Sequence, residues 1–270
     1  MPRSPLAGGL ISVGRDTLNT LHGARVDQML TPDGLLKTII AEAPTTFVRP
    51  EDLETPATVQ GIVRAKRIVE RATDDGSLLS VQEHRELCTC ELFDCVADAG
   101  AVKLTRGLNW FAQMAGTVME CHAHHLLHGQ LRPEHVLLDA EDSPKLLGFE
   151  PLSWRQLRRG SSQGAKHALR PVRHLDAPEL FGRSHATASE LQAADTWALG
   201  MVGVAMFVGR PPLVTAHGIE MPIGMQHMPA AMVSLLTTML STTPADRPTM
   251  PEVAAQAIAL AAQADSLATE

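Results

Sequence analysis

The sequence predicts an α+β fold with two lobes, a small β-rich N-lobe followed by a larger helical C-lobe. Its 270 residues suit one two-lobed domain better than two ordinary domains. Short apolar runs bounded by Gly, Pro or Asp fill roughly the first 90 residues, which is typical of strands. After that point, apolar residues recur at spacings of three and four, which is typical of helices. The order is therefore mostly β first and mostly α afterwards.

The N-terminal pattern predicts three strands and one helix. The strands are predicted at Leu10–Val13, Leu35–Ile40 and Leu78–Val81, because each is a short apolar run between turn-forming residues. The helix is predicted over Val59–Val69. Gly61 weakens this helix, since glycine is a poor helix former.

The C-terminal pattern predicts four helices and one tight hairpin. The hairpin strands, Val136–Leu138 and Lys145–Leu147, flank a short acidic turn. The apolar run at 198–208 is too short to span a bilayer comfortably, so we expect it to belong to a buried central helix. The four helices are predicted at Leu104–His125, Leu191–Val208, Ala230–Leu240 and Pro251–Leu267.

The charge and the cysteine content restrict the class of protein. The net charge is −7, whereas a general nucleic-acid or anionic-membrane binder is usually basic, so we expect no nucleic acid and no anionic-membrane surface as a partner. We expect no membrane span, because the apolar run at 198–208 is too short. Four Cys in the whole chain are too few for a disulfide scaffold, and the first ten residues lack the pattern of a secretory leader. We therefore expect an intracellular location, most simply the cytoplasm.

Two groups of Cys and His residues raise a zinc alternative. Their spacing is not that of a Cys-x₂-Cys pair, and the two groups fall on different predicted elements. We therefore favour core cysteines and a cationic helix end, and we expect no metal site. The residues are Cys88, Cys90, Cys95, Cys121, His122, His124 and His125.

The most specific motif lies between residues 128 and 150. It reads His128-Gly-Gln-Leu-Arg-Pro-Glu-His-Val-Leu-Leu-Asp139, and the hairpin is followed by Lys145-Leu-Leu-Gly-Phe-Glu150. This stretch resembles the protein kinase superfamily, whose pattern is His-Arg-Asp-Leu-Lys-Pro-Glu-Asn, a short hairpin and Asp-Phe-Gly. The framework and the spacing agree, whereas several chemically active residues differ.

Further blocks resemble the same superfamily in the same order. Asp176-Ala-Pro-Glu179 is similar to the motif that closes the activation segment, Ala194–Gly200 to the start of the buried C-lobe helix, and Pro244–Thr249 to the late Arg motif. In the N-lobe, Gly14–Leu21 is similar to the Gly-rich loop, and Gly34-Leu-Leu-Lys37 to the strand with the nucleotide-binding Lys. The resemblance implies a protein-kinase-like domain at 10–260, with an N-lobe at 10–83, a C-lobe at 84–260 and flexible termini at 1–9 and 261–270.

The resemblance places three degenerate residues in the catalytic centre. Gln130 stands at the catalytic Asp, and an amide has no useful basicity for accepting a hydroxyl proton. His135 stands at the metal-binding Asn, although Mg²⁺ prefers oxygen ligands. Gly148 stands at the metal-binding Asp and offers no side chain, while the carboxylate of Glu150 comes two residues late. The sequence therefore predicts no catalytic residue and no metal ligand.

The nucleotide-binding positions are partly kept. By the same resemblance, Lys37 and Gly14 are vestigial phosphate-binding residues, and Arg132 keeps the positive charge beside the catalytic position. Asp16 would repel a triphosphate, and Leu35 would intrude on the adenine slot. We therefore expect no cofactor, with ATP bound without Mg²⁺ as the alternative.

The resemblance assigns architectural roles to five other residues. Glu179 and Arg247 are expected to form a buried ion pair that ties the activation segment to the C-lobe. Asp195 is expected to cap the backbone of the catalytic loop. His128 and Phe149 correspond to the regulatory spine and are expected to pack in the core.

A basic strip without any acidic residue lies between positions 151 and 175, where the resemblance places the activation segment. It is either a solvated loop or a docking strip for an acidic partner or a phosphorylated segment. Its basic residues are Arg155, Arg158, Arg159, Lys166, Arg170 and Arg173.

Together these observations predict a catalytically inactive pseudokinase that is not an enzyme. Its expected role is that of a protein-binding scaffold or allosteric regulator in signalling, with a protein partner such as an active kinase or another enzyme. The alternative is an ATP-binding or weakly active atypical Ser/Thr protein kinase.

Overall fold

The structure, a computed structural model, describes the following residues: 11–12, 26–30, 36–44, 59–63, 65–72, 78–85, 88–129, 131–147, 150–151, 176–180, 186–215 and 218–268. The chain divides into two compact units, Met1–Cys88 and Thr89–Glu270. The first unit contains an antiparallel sheet and the second contains the long helices. This arrangement confirms the predicted α+β class.

The first unit is built on a five-stranded antiparallel sheet in the order β1-β2-β3-β5-β4. Three of its strands fall where the apolar runs predict them. Pairing is in register along β2 and β3, whereas β3 and β4 each shift register once against β5. The strands are β1 (Ile11–Ser12), β2 (Val26–Leu30), β3 (Leu36–Pro44), β4 (Ala65–Ala72) and β5 (Leu78–Arg85).

The helix predicted over Val59–Val69 is wrong. The described residues at 59–63 form a turn with an isolated bridge, and Ala65–Ala72 is strand β4, paired along its length with β5. The strand places the β-branched Ile68 and Val69 opposite Gln82 and Val81. The pairing of this segment with β5 therefore outweighs its tendency to form a helix. That tendency is weak in any case, because Gly61 is a poor helix former.

The second unit contains five helices among its described residues. The predicted helices are confirmed to within a few residues, and the last one continues past residue 260. The helices are α1 (Leu92–Ala99), α2 (Leu104–Ala123), α3 (Ala188–Val208), α4 (Ala230–Met239) and α5 (Met250–Ala268).

Short strands connect these helices. Strands β6, β8 and β9 form a three-stranded sheet that includes the predicted hairpin, while β7 pairs with β10 and β11 with β12. Their bounds are β6 (Cys90–Glu91), β7 (Leu126–Leu127), β8 (Val136–Leu138), β9 (Pro144–Leu146), β10 (Glu150–Pro151), β11 (Leu213–Thr215) and β12 (Gly218–Glu220).

Helix α3 is the central element of the second unit. Thr187 and Glu190 form a reciprocal capping box at its start, and Gly209 in the left-handed conformation ends it. Among the described helices it is the one long and apolar enough, by length and composition, to cross a membrane, but 83% of its apolar window is buried inside the fold. A helix that is apolar all round is expected to lie in a protein core, so the prediction of a buried central helix is confirmed.

Candidate functional site

The candidate site lies in the second unit, where the chain runs from β7 through a 3₁₀ turn at Pro133–His135 into β8. Asp195 of α3 has no exposed surface and holds the start of this loop. Its Oδ2 accepts a hydrogen bond of 2.9 Å from the backbone N–H of His128, and its Oδ1 accepts one from the N–H of Gly129. Gly129 has φ +63, a conformation that glycine adopts without strain. One buried carboxylate therefore fixes two successive peptide units of the loop.

A histidine from α2 completes the surroundings of this carboxylate. The Nε2 atom of His122 lies 3.0 Å from Oδ2 of Asp195, and both side chains are buried. Asp195 thus has three nitrogen partners, as a buried charge requires. Cys121 is fully buried nearby, and its burial together with the charge of Asp195 raises the pKa of its thiol well above the ordinary range. The sequence predicted that His122 is one of several cationic residues at the end of a helix. It did not predict the contact with Asp195, because the two residues are 73 positions apart.

The two histidines of the motif lie together in the core. The rings of His128 and His135 are stacked with their centroids 5.8 Å apart, and their exposed fractions are 0% and 4%. The carbonyl of His135 accepts a hydrogen bond from the N–H of Leu147, which anchors the end of the hairpin. The imidazole of His135 is a poor ligand for Mg²⁺. No group of three or more His, Cys, Asp or Glu side chains that could hold a metal occurs among the residues described.

An open, mainly apolar cavity of about 200 Å³ lies beside the 3₁₀ turn, between α1 and α3. Arg132, next to the turn, and Glu134, within it, line the cavity. The Oε2 atom of Glu134 is buried and has no hydrogen-bond partner among the described residues. The rest of the wall is largely apolar and includes Phe93, Val96, Leu131, Met201 and Ala205.

Glu179 and Arg247 form a buried bidentate ion pair. Nη1 and Nη2 of Arg247 each donate a 2.7 Å hydrogen bond to the Glu179 carboxylate, and the side chains are 0% and 7% exposed. The guanidinium also donates 2.9 Å bonds to the carbonyls of Ala193 and Ser241, and it lies 4.8 Å from the ring centroid of Trp197. Arg247 lies three residues before the start of α5, so the pair joins the segment that leads into α5 to the 3₁₀ turn at Pro178–Leu180 and to α3.

A second ion pair, which sequence reasoning missed, fixes the hairpin turn on α2. Arg106 binds the carboxylate of Asp142 in a bidentate manner and stacks on Trp110 at 4.2 Å, and the Trp110 indole N–H donates a 2.7 Å bond to the Asp142 carbonyl. Both charged side chains are about half exposed, at 49% and 48%. No short motif connects these residues, because the pair spans 36 positions.

Several residues that the sequence singled out are not described. Gln130, Gly148, Phe149 and Gly14 lie outside the described residues, as does the whole basic strip of Arg155, Arg158, Arg159, Lys166, Arg170 and Arg173. Lys37 lies in β3, where its backbone is opposite Met29 of β2 and His84 of β5.

The two-unit architecture and the retained loop are those of a protein kinase domain. The family model for the protein kinase domain matches residues 57–258, so the chain belongs to the protein kinase family.

Several curated relatives are similar to parts of the chain. "Sucrose non-fermenting protein kinase 1" of Fusarium virguliforme is 27% identical over 61% of this chain and 24% of its own length. "CBL-interacting serine/threonine-protein kinase 26" of Arabidopsis thaliana is 30% identical over 60% of this chain and 38% of its own length. "Probable serine/threonine-protein kinase MARK-C" of Dictyostelium discoideum is 25% identical over 71% of this chain and 25% of its own length. The chain thus spans about a quarter to two fifths of these relatives.

These comparisons correct one expectation from the sequence. The prediction that the chain is not an enzyme is contradicted, because the matching family is that of protein kinases and the relatives are named protein kinases. The prediction rested on the residues at 130, 135 and 148, whereas the match to the family extends over residues 57–258.

Proposed function

We propose that the chain is an ATP-binding, weakly active atypical Ser/Thr protein kinase. The observation that carries this proposal is the buried Asp195 carboxylate, which binds two successive N–H groups at the start of the loop and a histidine of α2. These bonds keep the start of the loop in one conformation, as phosphoryl transfer by positioning requires, and they partner a buried charge that would otherwise be costly.

The chemistry of phosphoryl transfer makes weak activity consistent with the loss of the catalytic Asp. A Ser or Thr hydroxyl oxygen attacks the γ-phosphorus of ATP, the bond to the β,γ-bridging oxygen breaks, ADP leaves, and the hydroxyl proton passes to solvent. The transition state is loose, so positioning and electrostatic stabilisation supply most of the effect. Loss of a general base alone costs a factor of about 10²–10⁴. From the typical kinase turnover of roughly 1–100 per second, we expect at best about one turnover per second, and far fewer without metal ligands.

Two cationic residues are assigned roles in this proposal. Lys37 of β3 would contact the phosphates, and Arg132, next to the 3₁₀ turn, would offset charge on the transferred group. We propose further that ATP binding does not depend on Mg²⁺, since the imidazole of His135 replaces an oxygen ligand.

A phosphotransfer assay tests the activity. The purified chain would be incubated with γ-labelled ATP and dephosphorylated casein, and the labelled Ser and Thr positions would be mapped by mass spectrometry. We expect slow transfer that Lys37→Met abolishes and that Lys103→Met, a matched control at an exposed Lys, leaves unchanged. Transfer that is equal in the Lys37→Met variant would indicate a contaminating kinase, and no transfer by the natural sequence would refute the proposed activity.

A thermal-shift titration tests nucleotide binding separately. ATP at a hundred times its dissociation constant stabilises the folded protein by ~2.7 kcal/mol. This corresponds to a rise of roughly 5–10 °C in the unfolding midpoint of a domain of roughly 150–250 residues. We expect the same shift in EDTA as in Mg²⁺. A shift that requires Mg²⁺ would contradict the role given to His135, and no shift under either condition would exclude ATP as a ligand.

We also propose a protein partner that docks on the basic strip. What supports it is the run of cationic residues without acids between 151 and 175 in a chain of net charge −7. Reversal of the charges at Arg155, Arg158 and Arg159 should weaken the capture of an acidic partner, and unchanged capture would remove the strip from this role. An intracellular location stays a prediction from the sequence.

A further inference from the structure

We propose that Cys90 and Cys95 form a reversible oxidation site, at which a hydroperoxide converts the two thiols to an intrachain disulfide. The two Sγ atoms lie 3.4 Å apart, in direct contact, and both residues are free and partly buried. Neither residue belongs to the candidate kinase site, and the proposal does not depend on kinase activity.

The local fold brings the two sulfurs together. Cys90 lies in β6 opposite Leu138 of β8, and Cys95 is the fourth residue of α1. The extended residue Glu91, with φ −91 and ψ 148, turns the chain directly from the strand into the helix, so the two side chains meet five positions apart. A disulfide bond is about 2.0 Å long. The sulfurs must therefore approach by about 1.4 Å, which is within the reach of side-chain rotation.

One hydroperoxide molecule oxidises the two thiols of Cys90 and Cys95 to one disulfide. The thiolate of one cysteine attacks a peroxide oxygen, the O–O bond breaks, and the remaining oxygen leaves as water after taking up a proton. The second sulfur then attacks the sulfenic sulfur, the S–O bond breaks, and the hydroxide leaves as water with the proton of the second thiol. The two sulfurs together lose two electrons, and the peroxide gains them.

The environment of the pair sets the rate of this reaction. Burial, followed by a hydrogen bond with Cys90, raises the pKa of Cys95 to about 11. Arg106 of α2 lowers this pKa and Asp142 of the hairpin turn raises it, and these two charged groups face the pair from neighbouring elements. Since the thiolate is the reactive form, oxidation should be slow at neutral pH and should accelerate as the pH rises toward 9.

Cys121 is an internal control within the same unit. It is fully buried, and burial raises the pKa of its thiol above the ordinary range. Among the described residues, no other cysteine lies in contact with its sulfur, so Cys121 should remain a thiol under conditions that oxidise the pair.

The disulfide would join two elements next to the candidate site. Strand β6 is tied to β8 by its own pairing and by a 2.7 Å hydrogen bond from the Thr89 N–H to the Leu138 carbonyl. Since β8 directly follows the 3₁₀ turn at Pro133–His135, a bond from β6 to α1 would fix the strand–helix corner beside that turn.

Peptide mapping after oxidation tests the proposal. The full chain would be treated with hydrogen peroxide at pH 8.5, quenched, alkylated under denaturing conditions and digested. We expect the four thiols to fall to two, a peptide cross-linked between Cys90 and Cys95, and full recovery with dithiothreitol. Cys95→Ser should abolish the cross-link, whereas Cys88→Ser should retain it.

Three results would overturn the proposal. They are the survival of all four thiols, oxidation to sulfinic acid without a cross-link, and a disulfide in the natural sequence that uses Cys88 or Cys121 instead. Mapping on the natural sequence decides among these outcomes even where a Ser variant does not fold.

Discussion

Replacing Arg247 by Ala should strongly destabilise the helical unit. The substitution removes a guanidinium that makes two 2.7 Å bonds to Glu179 and two 2.9 Å bonds to the carbonyls of Ala193 and Ser241. It also removes the group that stacks on Trp197. The carboxylate of Glu179, with a side chain only 7% exposed, then stays buried without a counter-ion.

The expected loss of stability is large because the remaining carboxylate is buried, and not because many hydrogen bonds are lost. Removing one partner of a buried ion pair costs about 3–5 kcal/mol, since the other charge remains uncompensated. The Arg106–Asp142 pair provides a matched control, because it is also a bidentate Arg–carboxylate pair that stacks on a Trp, but it is about half exposed. Solvent screening limits the contribution of such an exposed pair to the free energy of unfolding to about 1 kcal/mol.

Urea unfolding followed by tryptophan fluorescence measures both variants. All three Trp residues lie in the sequence of the second unit, so the signal reports on that unit. The free energy of unfolding falls by roughly 3 kcal/mol or less per molar urea. A loss of ~4 kcal/mol in Arg247→Ala should therefore lower the urea midpoint by more than about 1 M. A loss of about 1 kcal/mol in Arg106→Ala should lower it by roughly a third of a molar.

A double variant separates the charge from the packing. Glu179→Leu combined with Arg247→Met removes both charges, and it should cost less than Arg247→Ala alone because no buried ion is left unpaired. The reasoning fails if Arg247→Ala costs no more than Arg106→Ala, or if the double variant is less stable than the single one.

Three further predictions concern the same unit. Gly209→Ala places a Cβ against the Gly100 carbonyl oxygen at φ +84, so it should lower the free energy of unfolding by about 3 kcal/mol or more; a loss below about 1 kcal/mol in urea unfolding would contradict this. Asp195→Asn should cost about 2–3 kcal/mol and accelerate hydrogen exchange at the two loop amides, and unchanged exchange would count against the proposed hold on the loop. Glu252 accepts hydrogen bonds from the Thr249 hydroxyl and N–H, which lower its pKa. Its contribution is therefore present above the unfolded-state pKa and is lost as the pH falls through the lower folded-state pKa, so Glu252→Gln should flatten the loss of helicity on acidification. Identical circular-dichroism profiles below pH 5 would oppose this.

The sheet of the first unit shows where sequence patterns reach their limit. The strand Ala65–Ala72 was interpreted as part of a helix, although Asp75-Gly76 lies between it and the next strand, and Asp-Gly is a strong hairpin signal. Strand Val26–Leu30 was not predicted at all. A short strand gains its stability from hydrogen bonds to neighbours distant in sequence, so its own residues specify it weakly.

The helical unit was predicted more closely because helices depend on nearby residues. The spacing of apolar side chains along Leu104–Ala123 and Ala188–Val208 repeats within a few positions and fixes which face is buried. The resemblance predicted the ion pair of Glu179 with Arg247 and the position of Asp195 at the loop. The prediction that the chain is not an enzyme, which rested on residues 130, 135 and 148, is contradicted by the match to the protein kinase family.

The sequence by itself determined the family and the order of strands before helices. Only the tertiary structure decided which charges are buried, that His122 joins Asp195 across 73 positions, and that Cys90 and Cys95 touch. The physical reason is that burial and contact are properties of elements packed against one another. A charge at 7% exposure and a charge at 48% exposure look alike in the sequence, but they differ several-fold in what their loss costs.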